Sequence, residues 1–164
     1  MMASPLLIMR HGEALSGFPD HQRRLSDSGR REVSIMGAWL SAREDLELTK
    51  LRVVASPYAR AQQTAALVVE ALPSVVDIDT LDIITPDDVP EAVVEWLLGE
   101  ADDVPLLIVS HMPLVAALTG LLVEGRSDYG VGFATAAIAE LTGEVRASGC
   151  LSLRRLTTPA EVEG

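Results

Sequence analysis

Three stretches of this chain carry side chains suited to one kind of chemistry. Arg10-His11-Gly12 ends the apolar run Leu6-Leu7-Ile8-Met9, and Ser110-His111 ends Val104-Pro105-Leu106-Leu107-Ile108-Val109. Arg60 follows Leu51-Arg52-Val53-Val54-Ala55 and Ser56-Pro57. A guanidinium offers a rigid fork of donors that matches phosphate or carboxylate, an imidazole is a nucleophile or proton carrier near neutral pH, and glycine lets backbone approach a ligand. Together they imply a bound anion beside a reactive imidazole. Arg23 and Arg24, in the loop after the first run, are basic groups that could complete an anion site. Phosphoryl transfer asks for little more, because arginines and a protonated imidazole can stabilise charge spread over the equatorial oxygens. Metal binding is the competing use of His11 and His111, but no His-x-His, Glu-x-x-His or cysteine cluster accompanies them, so the site reads as metal-independent and without cofactor. A serine-hydrolase pair at Ser110 and His111 is disfavoured, since strand neighbours face opposite ways and no Gly-x-Ser-x-Gly elbow is present.

These side chains converge only if the elements beneath them place them at one edge of a sheet. Each of the three runs has the length and apolar character of a buried strand, and open α/β sheets bind ligands beyond their strands' carboxyl ends. Residues 14–24, with Gly17, Pro19 and Asp20, read as a loop in which His21 is a solvated residue. Ser26 and Asp27 can cap a helix running to about Arg43, with Val33, Met36, Trp39 and Leu40 on its core face. A second helix starts near Tyr58 and puts Arg60 in its first turn, where backbone N–H groups already favour an anion. Residues 75–84 suggest a third strand, and Pro86-Asp87-Asp88 a helix start before residues 91–100, which bury Val94, Leu97 and Leu98. Asp82, Asp87 and Asp88 are candidate acids or ordinary capping carboxylates. A helix over residues 114–122 is apolar enough to lie across the sheet. Residues 125–132 read as a loop, 134–142 and 150–156 as two final strands, and 157–164 as a loose polar tail.

Composition bounds the rest. At 164 residues, one domain with one substantial core is expected. Aromatic residues are only 4%, so that core must be Leu, Val, Ile and Ala. A net charge of −11 disfavours nucleic acid and anionic membranes as partners, so any anion site must be built locally. The single cysteine, Cys150, rules out an internal disulfide, fits a reducing compartment and reads as an inert buried side chain. The start of the chain has no basic region, and its apolar run is too short for a signal peptide or membrane span, so a cytoplasmic protein is expected.

The same residues carry a resemblance. Arg10-His11-Gly12 after a strand, Ser56-Pro57 followed by Arg60-Ala61-Gln62-Gln63-Thr64, and Ser110-His111 after a late strand look like the histidine phosphatase superfamily, which includes the phosphoglycerate mutases. Further matches are Ile8-Met9 before Arg10, Leu25-Ser26 before Gly29, Ala38-Trp39-Leu40, Pro113-Leu114-Val115 and Thr135-Ala136-Ala137-Ile138-Ala139. They resemble the short phosphohistidine phosphatases of the SixA type, from residue 6 to about 142. The resemblance implies a three-layer α/β/α sandwich with a mostly parallel sheet. It also implies that His11 attacks phosphorus and is transiently phosphorylated, while Arg10, Arg60 and His111 hold the phosphoryl group. Where the SixA type has an arginine before Pro-Leu-Thr, this chain reads Arg23-Arg24-Leu25-Ser26, so Arg23 takes the arginine's place and Arg24 the proline's.

The superfamily's mutases and many of its small-molecule phosphatases insert a lid after the third-strand region, carrying a glutamate that protonates the leaving oxygen. Residues 81–90 leave no room for one. An alkoxide needs that proton, whereas a protonated phosphoimidazole departs as neutral imidazole, whose conjugate acid has a pKa of about 6.5. The expected substrate is therefore a phosphohistidine-bearing protein, a histidine phosphotransfer domain or a phosphocarrier, met by a monomeric enzyme. The alternative is a small-molecule phosphomonoesterase in which Glu13, Asp82, Asp87 or Asp88 donates the proton.

Overall fold

The computed structural model describes residues 2–164. The first apolar run forms strand β1 (Leu6–Arg10). Ser26 then caps helix α1 (Asp27–Ser41), its side chain accepting from the Gly29 N–H. Strand β2 (Arg52–Ala55) leads into helix α2 (Ala59–Ala71), and β3 (Ile78–Thr80) into helix α3 (Pro90–Leu98). Strand β4 (Leu106–Ser110) is followed by helix α4 (Leu114–Glu124), which Gly125 ends in a left-handed conformation at φ 76°. Strands β5 (Ile138–Gly143) and β6 (Leu151–Thr157) precede helix α5 (Pro159–Glu163).

The six strands form one sheet in the order β3-β2-β4-β1-β5-β6. Strands β3, β2, β4 and β1 run parallel, β5 is antiparallel to β1, and β6 is antiparallel to β5. Alternation along the central strands feeds two apolar layers. Leu6, Ile8, Val54, Leu106 and Ile108 meet α3 and α4, while Leu7, Met9, Val53, Ala55, Leu107 and Val109 meet α1 and α2. Each Leu, Ile, Val or Met among them contributes about 1.5–3 kcal/mol on burial, so a one-residue slip that exchanged the two faces is heavily disfavoured. This is the expected sandwich with a mostly parallel sheet, and residues 81–89 are a short connection rather than a lid. At the amino ends of the strands, buried Arg146 donates to the carbonyls of Ser4, Ala101 and Val104, tying the starts of β1 and β4 together.

Several local expectations are corrected. The third strand is only Ile78–Thr80, because Val75 is 96% exposed and the chain joins β2 at Ile78. In α3, Val93 is buried in place of Leu98, which faces solvent. The strand expected from residue 134 begins at Ile138, because Ala136 takes a left-handed φ of 63° that turns the chain into the sheet. Trp39 does pack against the second apolar layer as expected, partly buried and with the Arg43 guanidinium over its ring. Cys150 is exposed rather than buried. The tail is not loose: β6 runs to Thr157, and α5 begins with a capping box in which the Thr158 hydroxyl accepts from the Glu161 N–H while the Glu161 carboxylate accepts from the Thr158 N–H. Val162 then packs on the second apolar layer.

Candidate active site

The sheet order makes β1 and β4 neighbours, with Arg10 opposite Ser110 in register, so His11 and His111 leave adjacent strand ends. Their ring centroids lie 5.0 Å apart, edge to face. Strand β2 flanks β4 on its other side and delivers Ser56 beside His111, whose Nε2 is 2.7 Å from the serine Oγ. The α2 helix that follows places Arg60 in its first turn, 5% exposed, with Nε donating to Nε2 of His11 at 3.3 Å.

The hydrogen bonds set the tautomer of His11. Its Nδ1 lies 2.6 Å from the Gly12 carbonyl, which can only accept, so the ring proton sits on Nδ1 and the Nε2 lone pair faces Arg60. Burial, opposed by the Gly12 hydrogen bond and reinforced by Arg60, Arg10 and Arg23, lowers the pKa of His11 to about 4. Burial, followed by the influence of His11 and Arg60, lowers that of His111 to about 3. Both rings are neutral at pH 7. The sequence reading expects an imidazolium; the desolvated site instead holds a neutral His111, which stabilises an anion through an N–H until the anion's own charge draws its pKa upward.

Arg10 completes the floor. Its Nη1 donates to the Phe133 carbonyl at 2.8 Å, while its buried Nε and the buried Nδ1 of His111 have no partner among the described residues. Arg10 and Arg60 both act on the charge of the two rings, so the site holds cations around neutral imidazoles, a setting that suits an oxyanion. Among the described residues, no group of three or more His, Cys, Asp or Glu side chains is arranged to hold a metal ion.

The loop over residues 14–24 closes one side. The Arg23 Nε donates to the Leu15 carbonyl and its Nη1 to the Asp20 carboxylate at 3.0 Å, and Arg23 lies close enough to act on the charge of His11. Arg24 faces solvent and offers its carbonyl to the Leu15 N–H. His21 is exposed on a short turn, 6.2 Å from the Tyr58 ring. Of the candidate acids, Glu13 accepts from the Ser26 hydroxyl at the start of α1, Asp88 accepts from the N–H and hydroxyl of Thr85, and Asp82 and Asp87 are exposed.

Gly12 has a different purpose from the one its position suggests. A Cβ there would lie 2.7 Å from Val33 Cγ2 and 3.0 Å from the Gly29 carbonyl, so the missing side chain admits helix α1 rather than a ligand. The Gly12 N–H donates to Thr64 Oγ1, which in turn donates to the Arg60 carbonyl, linking the nucleophile's loop to α2.

Sequence reasoning misses two further groups. Tyr58 stands between His111, 5.0 Å away, and the Arg60 guanidinium, 5.1 Å from its ring. Asp20 offers both its carbonyl and its carboxylate to Arg60. Nothing in the local pattern marks either one, although the position of Tyr58 at the cap of α2 places it beside a strand end.

Comparison with known proteins defines the class. The family model of the histidine phosphatase superfamily (branch 1) matches residues 6–82. A phosphohistidine phosphatase SixA homolog of Haemophilus influenzae is 33% identical over 143 residues, spanning 83% of this chain and 86% of that protein. The chain belongs to the histidine phosphatase superfamily. Phosphohistidine phosphatase SixA of Escherichia coli is 32% identical over 147 residues, 88% of each chain. The solved structure of the protein histidine phosphatase SixA complexed with tungstate superposes with a TM-score of 0.81 at 31% identity, covering 96% of this chain and 99% of the other.

Proposed function

We propose that this chain is a phosphohistidine phosphatase that removes phosphate from histidine of signalling or phosphocarrier proteins, with His11 as nucleophile and Arg10, Arg60, His111 and Arg23 as the groups that hold the phosphoryl. The observation that carries the reading is the state of His11: a buried, neutral imidazole with its proton fixed on Nδ1 and its Nε2 lone pair beside a guanidinium.

The chemistry follows from that state. The Nε2 lone pair attacks phosphorus, the phosphorus–nitrogen bond of the substrate breaks, and a substrate protonated on its other ring nitrogen leaves as neutral imidazole. His11, still carrying its Nδ1 proton against the Gly12 carbonyl, then holds the phosphoryl in the same form the substrate did. The transfer exchanges one nitrogen–phosphorus bond for another, and neither side needs a separate acid. Water then attacks, the His11 bond breaks, both hydrogens of the water remain with dihydrogen phosphate, and His11 returns to its starting tautomer. Arg10, Arg60, Arg23 and the His111 N–H stabilise the charge on the equatorial oxygens throughout.

The named relatives support this substrate class, both being called phosphohistidine phosphatases. The short 81–89 connection keeps the site free of a lid from that segment, which suits a protein surface. A monomer in the reducing cytoplasm is the simplest setting: the lone Cys150 is exposed, as a thiol kept reduced can be. No helix among the described residues is long and apolar enough to cross a membrane. Offering the purified protein phosphorylated histidine phosphotransfer domains and phosphocarriers alongside a panel of sugar phosphates tests the reading. Phosphohistidine should be cleaved faster, and faster ester cleavage would move the assignment to a small-molecule phosphomonoesterase.

A further inference from the structure

Asp20 touches both arginines that edge the nucleophile from the loop side. Its Oδ1 accepts from Arg23 Nη1 at 3.0 Å, its Oδ2 from Arg60 Nη2 at 3.1 Å, and its backbone carbonyl from Arg60 Nη1 at 2.8 Å. Arg60 thereby presents Nε to His11 and Nη2 to Asp20, which are the two arms of the edge a guanidinium uses to grip an oxyanion side-on. The carboxylate, bridging two guanidiniums with its two oxygens, makes the contacts a phosphoryl group would make. Its side chain is 54% exposed while that of Arg60 is 6% exposed, so it stands on the solvent side of the buried Arg60 guanidinium.

We propose that Asp20 is a specificity-determining residue: its carboxylate lies across the N–H donors of Arg60 and Arg23 that a phosphoryl group would use, and it selects substrates in which the group bonded to phosphorus carries a positive charge. This rests on the phosphohistidine reading of the site. A phosphate dianion or an anionic ester must compete with the carboxylate for the same N–H donors and sits close to its negative charge. Phosphohistidine protonated on its distal nitrogen brings an imidazolium whose N–H the displaced carboxylate can accept, so the like-charge penalty becomes an attraction. The bonds from Arg23 and then Arg60 lower the pKa of Asp20, which keeps the carboxylate ionised for this purpose at neutral pH.

The test compares the wild type with Asp20→Asn and Asp20→Ser, two sizes of neutral side chain at an exposed position. It uses three readouts: competitive inhibition by orthophosphate, kcat/KM on p-nitrophenyl phosphate, and kcat/KM on a phosphorylated histidine phosphotransfer domain. Removing the charge should tighten orthophosphate binding about tenfold and lower kcat/KM on phosphohistidine about tenfold, each near the scale of one charge-assisted hydrogen bond, with the nitrophenyl ester unchanged or faster. A parallel fall on both substrates with weaker orthophosphate binding would overturn the proposal, because a purely structural tie behaves that way. If the wild type itself leaves phosphohistidine intact, the reading of the site fails. The orthophosphate measurement still decides the role of Asp20, and unchanged or weaker binding in both variants would count against it.

Discussion

Arg60 Nε donates to Nε2 of His11 at 3.3 Å, while the other ring nitrogen of His11 lies 2.6 Å from the Gly12 carbonyl. One arginine and one carbonyl therefore fix the protonation, orientation and electrostatic environment of the imidazole. The pairing depends on the fold at three levels: β1 carries His11, β2 and the start of α2 carry Arg60, and β4 lies between β1 and β2 in the sheet.

Arg60→Lys keeps the positive charge and removes the fork. A lysine ammonium cannot address His11, Asp20 and two phosphoryl oxygens at once, so kcat should fall about 10²- to 10³-fold, the scale of losing one preorganised donor to developing charge. Circular dichroism should show a folded protein. Activity within a few-fold of wild type would show that charge alone is enough.

The pH dependence follows from the two depressed histidines. Attack needs His11 neutral, and its pKa is lowered from 6.5 to about 4, so kcat/KM should hold as pH falls through 6.5 and decline only near pH 4. The stability sign runs the same way. Between about pH 6.5 and the folded values of about 4 and 3, the unfolded chain binds protons at His11 and His111 that the folded chain refuses, so stability drops as pH falls through that window. His11→Gln should flatten part of that loss in denaturant titrations across pH. An acid limb of kcat/KM at 6.5, or stability constant down to pH 4, would contradict the burial argument.

Gly12→Ala tests the closeness of α1 to the nucleophile's loop. With a Cβ 2.7 Å from Val33 Cγ2, we expect destabilisation of about 1–3 kcal/mol from overpacking. Trimming the partner in Gly12→Ala/Val33→Ala should cost less than the sum of the two single changes by about 1 kcal/mol. Strict additivity in chemical denaturation would mean that the two side chains do not meet.

What was legible from sequence was whatever local pattern carries. An apolar run that stops at polar residues marks a strand end, and three such ends point to Arg10 and His11, to His111 and, one helical turn on, to Arg60; the structure brings His11, His111 and Arg60 together, with Arg10 close enough to act on the charge of both rings. Asp20 was hidden because its partners lie across the fold and a loop has no period to betray a contact with Arg60. The packing role of Gly12 is not visible in the sequence, because its neighbour, Val33, belongs to a helix whose path over the loop no spacing rule reveals. The tail carries a local signal of its own: Thr158-Pro159 with Glu161 is a capping pattern, and it forms the helix whose Val162 reaches the core. The exposure of Cys150 follows from its place just before β6, at the end of the turn from β5, where side chains still face solvent.

The central claim is that His11 carries the phosphoryl group. Rapid alkaline quenching during turnover of a radiolabelled phosphohistidine protein, followed by peptide mapping, measures it directly. The account predicts alkali-stable, acid-labile label on the peptide holding His11, with neither label nor turnover in His11→Ala. Label on His111 instead, or a His11→Ala protein that hydrolyses phosphohistidine at the original rate, would contradict it.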